Sequence, residues 1–135
     1  MDPQRTKIRL LRLSWIMKAI FSIHPEHSRR ILQGSKTVEI RRKLPIREID
    51  KILIYETAPT KMIVGEFSIK KMAYHPKEYA WGEFGGKAGI SQDQYQSYLH
   101  NLDLAGIIEI GEVQKYAKPK PLKGTPPQSF KYLKT

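Results

Sequence analysis

The sequence contains no cysteine among its 135 residues. That excludes disulfides, thiolate metal sites and cysteine nucleophiles. Acidic side chains are scarce: 13 Asp and Glu stand against 24 Lys and Arg, a formal charge of +11 with histidines neutral. No apolar run approaches the roughly 20 residues that a membrane helix needs, and no stretch reads as a secretory signal. The expectation is a soluble, cytoplasmic chain with no membrane partner. Among the four histidines, His24 and His27 lie three apart without a third ligand, and His75 and His100 are isolated. There is no His-Glu-x-x-His spacing, so neither a metal nor another cofactor is expected. Phosphate-loop and dinucleotide glycine motifs are also missing. Ser22, Ser91 and Ser129 have no evident His and Asp partners, so a hydrolytic triad is not expected.

What is present suits one packed domain. Hydrophobic residues make up 40% and aromatics 10%, too many for a disordered polybasic tail. The charge is unevenly placed. Residues 1–51 carry 13 basic and 5 acidic side chains, residues 52–114 carry 5 and 8, and residues 115–135 carry 6 and none. Two basic ends flank a mildly acidic middle. If they meet in space, they form one positive face suited to a polyanionic partner. Residues 1–16 read as a basic extension that precedes a start at Met17, and residues 17–135 read as a single domain of monomeric character.

Local patterns predict the elements. Residues 17–23 form an apolar, buried strand. Pro25 opens a helix at the position where its missing N–H is harmless, and Gly34 closes it. Ile31 and Leu32 face the core. Residues 37–42 alternate, with Val38 and Ile40 on one face and Thr37, Glu39 and Arg41 on the other. Residues 51–57 and 62–72 are strands, the second with a bulge or close approach at Gly65. Residues 76–84 and 91–100 are short helices, the second capped by Ser91. Residues 104–113 form the last strand, with Ile108 and Ile110 opposite Ile107, Glu109 and Val113. Phe130, Tyr132 and Leu133 anchor a proline- and lysine-rich tail. About five strands and three short helices without regular crossovers indicate an α+β fold around a small antiparallel or mixed barrel.

The densest cluster of polar chemistry is Gly34-Ser35-Lys36-Thr37-Val38-Glu39-Ile40-Arg41. Gly34 permits a sharp turn. Lys36 offers three donors on a flexible stem, and Arg41 offers a planar fork for a carboxylate, phosphate or base edge. Arg42 and Lys43 extend the basic edge. The order Gly-x-Lys-x-x-Glu-x-Arg after a helix and at the head of a strand resembles the signature of the ASCH family, within the PUA-like superfamily of small β-barrels. Its neighbours are similar in order: Ser22-Ile23-His24-Pro25, Ile54-Tyr55-Glu56-Thr57 before Pro59, Ile63-Val64-Gly65-Glu66-Phe67, and Pro126-Pro127-Gln128-Ser129-Phe130. The chain particularly resembles short stand-alone members labelled predicted transcriptional regulators.

The resemblance implies a PUA-like barrel of about five strands, a helix packed across it and a cleft between them. It implies RNA or another nucleic acid as partner, with a single-stranded or modified nucleotide in the cleft. Gly34, Lys36, Glu39, Arg41, Arg42, Lys43, His24, Gln128 and Ser129 are then the binding residues. Tyr55, Tyr74, Trp81, Phe84 and Tyr95 include possible stacking platforms for an unpaired base. Tyr55 and Phe67 have core as the competing reading, and Trp81 and Tyr98 have helix packing. Gly85-Gly86-Lys87-Ala88-Gly89 reads as a hinge or lid beside the cleft.

Two other readings remain open. One branch of the superfamily hydrolyses acetylated cytidine with a Gly-x-Lys-x-x-Thr-x-Arg motif and a glutamate on a later helix. Here Lys36 matches, Glu39 replaces the threonine and Gln94 stands at the acid position. If the chain is an enzyme, Lys36 and Glu39 are its catalytic pair. The alternative is a protein-interaction module of a transcription assembly, with the proline-rich tail as its support. Without a cleft, Lys36, Glu39 and Arg41 reduce to an ordinary surface ion-pair ladder.

Overall fold

The computed structural model describes residues 18–133. The expected extension over residues 1–16, and Met17, lie outside that range. The order is β1 (Lys18–Ile23), α1 (Pro25–Gln33), β2 (Val38–Arg41), β3 (Lys51–Glu56) and β4 (Met62–Pro76). Then follow α2 (Lys77–Phe84), a 3-10 turn (Gly85–Lys87), α3 (Gln92–Tyr98), β5 (Leu104–Lys120) and β6 (Phe130–Leu133).

The six strands form one mixed sheet in the order β2-β5-β4-β3-β1-β6. β1 and β3 run parallel, while the other neighbours are antiparallel. The α+β class holds, with six strands where about five were expected and a barrel-like sheet that hydrogen bonds do not close. The hydrogen-bonded ladder is open between β2 and the β1–β6 edge. Side-chain and loop contacts span the gap instead: Arg41 at the end of β2 reaches the Ser22 carbonyl on β1 and the Ser129 hydroxyl before β6. The sixth strand is the predicted tail anchor. Residues 130–133 pair with residues 18–21, so the C-terminal tail docks on the first strand.

Two of the three hydrophobic clusters set this arrangement. Phe21, Ile31, Ile52, Ile54, Phe67 and Ile108 lead the first, between the curled sheet and α1. Val38, Ile40, Ala80, Tyr95, Leu99 and Ile107 lead the second, where α2 and α3 cover β2 and β5. Ile107 and Ile108 thus enter opposite cores, as alternation requires. Val113 departs from the simple count and packs with Ile108 and Ile110. A register shift sets this: Ile69 faces Ile110 while Phe67 faces Val113, so β5 carries one extra residue and its parity changes. The irregularity expected at Gly65 is also present as a register shift.

Close backbone packing sets the position of β2. A Cβ on Gly106 would lie 2.6 Å from the Arg41 carbonyl oxygen and 2.8 Å from Leu44 Cγ. Gly106→Ala should therefore destabilise the fold by about 1–3 kcal/mol, the usual cost of overpacking. Chemical denaturation checks this; an unchanged midpoint would show that β2 yields freely.

Candidate nucleic-acid interface

The motif begins where α1 ends. Gly34 takes a left-handed conformation with φ of 87°, which only glycine adopts cheaply. The Ser35 and Lys36 amides then donate to the Arg30 carbonyl, at 3.0 and 3.1 Å. Thr37 donates to the Lys87 carbonyl, and Ile110 donates to the Thr37 carbonyl. The segment Gly85–Gly89 is therefore tied to the motif rather than hinged. It includes a 3-10 turn, and the Ala88 and Gly89 carbonyls accept from the Lys36 ammonium and the Arg30 guanidinium.

This path drives Lys36 and Glu39 inward, where they are 2% and 6% exposed. A surface ladder is excluded. Alternation places Val38 and Ile40 against the helices, as expected, but the opposite face of β2 is buried too. Lys36 Nζ lies 3.3 Å from Glu39 Oε1. Arg41 donates to Glu39 Oε2 from Nε at 3.1 Å and from Nη2 at 2.8 Å. The guanidinium also lies 4.8 Å from the centre of the Phe21 ring. One carboxylate is thus clasped by two cations.

The electrostatics follow from burial and pairing. Burial pushes the Glu39 carboxyl upward, but Arg41 and Lys36 outweigh it and hold the pKa below its ordinary value. Burial lowers the Lys36 pKa, and Glu39 only partly offsets the effect. His27 is also lowered, first by burial and then by Lys36, which favours the neutral ring near pH 7. Its Nδ1 is buried with no hydrogen-bond partner among the described residues.

These groups line a cleft of about 630 Å³ between α1, β2, α3 and the loop before β6. His24, Lys36, Glu39, Arg41, Arg42, Lys43, Gln128 and Ser129 all border it. Gly34 does not; its role is to turn the chain toward the cleft. The loop before β6 is held by the Ser22 hydroxyl, which donates to the Pro127 carbonyl at 2.6 Å, and by the Ser22 amide, which donates to the Ser129 carbonyl.

The structure adds His27, Ile90, Gln94 and Tyr98 to the lining. His27 was visible in sequence only as half of an incomplete metal pair. Gln94 borders the cleft, but its Oε1 accepts from the Ser91 amide in a capping box. The aromatic expectation changes more. Tyr55 and Tyr95 are buried, and the Tyr74 hydroxyl accepts from the Leu44 amide. Trp81 and Phe84 pack on the second core. None of these five borders the cleft; Tyr98 does.

A family described as a domain of unknown function matches residues 16–135. The chain belongs to this family, DUF365. An ASCH domain-containing ribonuclease from Zymomonas mobilis is 28% identical over 125 residues, covering 87% of this chain and 84% of that protein. The crystal structure of ASCH from the same organism matches the DUF365 chain with a TM-score of 0.81 at 28% identity, covering 87% of each. The large ribosomal subunit protein uL22 of Ureaplasma parvum serovar 3 is 31% identical over 105 residues, 73% of this chain. The DUF365 chain spans only 33% of that relative's length. Together these likenesses make the chain an ASCH domain, as its motif implied.

Proposed function

We propose that the cleft binds single-stranded RNA or a modified nucleotide, with one nucleotide seated over Lys36, Glu39 and Arg41. The observation that carries this reading is the convergence of four cationic side chains and one carboxylate on a single recess. Arg42 and Lys43 stand at its exposed rim, suited to backbone phosphates. At the floor, the Lys36 ammonium has three protons and, among the described residues, two acceptors, Ala88 and Glu39. Its third proton is available to a ring nitrogen or carbonyl oxygen. The remaining lone-pair capacity of Glu39 accepts from an exocyclic amine. The ribonuclease name of the Zymomonas relative supports RNA as the polymer. A role in transcription or translation regulation belongs to this same proposal.

A chain that neutralises about three phosphates of a single strand loses affinity on the order of tenfold between about 50 and 200 mM salt. Fluorescence anisotropy with a labelled, unstructured RNA tests this. Affinity that stays flat across the series overturns the reading.

RNA cleavage is a second reading, favoured by the neutral His27 and the depressed Lys36 in one cleft. The His27 ring takes the proton of a ribose 2′-hydroxyl, and the 2′-oxygen attacks the adjacent phosphorus. The bond from phosphorus to the 5′-oxygen breaks, and Lys36 donates a proton to the leaving oxygen. The products are a 2′,3′-cyclic phosphate and a 5′-hydroxyl. The anisotropy samples, run on a denaturing gel, decide between binding alone and binding with cleavage. The amidohydrolase reading has weaker support, because Gln94 offers an amide committed to its helix cap where that chemistry needs an acid.

A further inference from the structure

Tyr98 is the last residue of α3, and its half-buried side chain packs against the second core. The Arg42 guanidinium covers the ring, with its central carbon 4.5 Å from the ring centre. Arg42 is otherwise exposed and makes no ion pair among the described residues. Both residues border the cleft. An exposed cation over the ring of a residue that packs on a core is a replaceable contact. Such a cation–π contact is weak where water reaches it, whereas a stacked base contributes more.

We infer that Tyr98 is the base-stacking platform of the cleft and that Arg42 occupies the place of the base until RNA arrives. On binding, an unpaired base displaces the guanidinium from the ring, and Arg42 turns to the phosphate of the same strand. The ring reads a π-face rather than a hydrogen-bonding edge, so this contact is tolerant of sequence. Glu39 and Lys36 in the same cleft supply whatever base preference exists. The inference rests on the RNA-binding reading of the cleft and assigns its stacking residue.

The geometry has a functional logic. Arg42 shields an apolar ring from water in the empty cleft and supplies a phosphate contact in the filled one. The same side chain therefore contributes to both states, and its charge is not held by a carboxylate that RNA must displace. Lys43 beside it has no comparable ring contact among the described residues, so the two neighbouring cations separate into one gate and one plain rim charge.

Photocrosslinking of the full chain to an unstructured RNA containing 5-iodouridine, followed by peptide mass mapping, tests the platform directly. The expected crosslink is on Tyr98. RNA that binds but crosslinks elsewhere overturns the assignment. Tyr98→Leu should weaken binding about tenfold or more, the scale of losing one aromatic stack, and Tyr98→Phe should restore the loss. Arg42→Ala should reduce the slope of log affinity against log salt by about 0.7, the value for one phosphate contact on a single strand. An unchanged slope rules out the turn of Arg42 to phosphate. Wild-type binding that Lys36→Met abolishes and Tyr98→Leu leaves intact defeats this inference alone. Wild-type protein that binds no RNA defeats the RNA reading and this inference together.

Discussion

Arg41→Ala is expected to lower the thermal midpoint by about 10–20 °C. The side chain makes two hydrogen bonds to Glu39, one to the Ser22 carbonyl and one to the Ser129 hydroxyl. Its loss leaves a carboxylate with 8% side-chain exposure facing Lys36 alone, and it also removes the side-chain link across the open edge of the sheet. Breaking a buried pair by removing one partner typically costs about 3–5 kcal/mol. For a domain of this size each kcal/mol moves the midpoint by about 3–6 °C. The pH dependence supplies a second signature. The folded-state pKa of Glu39 lies below 4.5, so its stabilising contribution is present above the unfolded value and lost as pH falls through the folded one. Without Arg41, burial drives that pKa upward. The gap in stability between wild type and variant should therefore narrow as pH falls below about 4.5. Denaturation across an acid series checks this; a gap independent of pH would place the cost of the substitution elsewhere than in Glu39.

Lys36→Met is expected to weaken RNA binding about 10- to 100-fold, the scale of one charge-assisted hydrogen bond, in a chain that still folds. The two effects separate because burial already disfavours the Lys36 ammonium. An unbranched apolar side chain fills similar space, although the Ala88 carbonyl loses its donor. Glu39 keeps both of its bonds to Arg41. A buried ammonium that borders the cleft is placed to meet a ligand as well as to hold Ala88 and Glu39. Anisotropy and thermal melting on the same samples decide it. Affinity within twofold of wild type, with an intact fold, would remove Lys36 from the site. Glu39→Gln should instead change the preference among bases, because it replaces part of an acceptor with a donor. If preference is unchanged, Glu39 serves only to hold Lys36 and Arg41.

Much of this protein was legible before its folding was known. The helix ending at Gly34, the alternation of Val38 and Ile40, the cap at Ser91 and the tail anchor at Phe130 all follow from local rules. Local rules work there because each depends on backbone chemistry within a few residues. The candidate site was also legible as a residue set, since eight of the nine expected residues border the cleft, with Gly34 set back from it. Here the resemblance carried information that periodicity alone did not. Spacing by itself allowed an exposed ion-pair ladder equally well.

Where sequence reasoning went astray, a long-range contact was the cause. The glycines at 85, 86 and 89 read as a hinge, but the Lys87, Ala88 and Gly89 carbonyls accept from Thr37, Lys36 and Arg30, up to 59 positions away. Val113 changed faces because β5 carries one extra residue opposite β4 between Ile110 and Val113. Tyr98 and Tyr95 lie on the same short helix, yet one borders the cleft and the other is fully buried. Nothing within seven residues distinguishes their exposure; the strand and loop packed against the helix do.

The sequence by itself determined the absence of thiol chemistry, the excess of 11 positive charges, the α+β class and the ASCH motif. Those depend on composition and on contacts close along the chain. Tertiary structure alone decided that the ladder stays open, that Lys36 and Glu39 are buried, and that Arg42 lies over Tyr98. The physical reason is that burial is a property of what packs against a residue. The Lys36 pKa and the exposed face of Tyr98 both arise from surfaces that segments distant in sequence bring together.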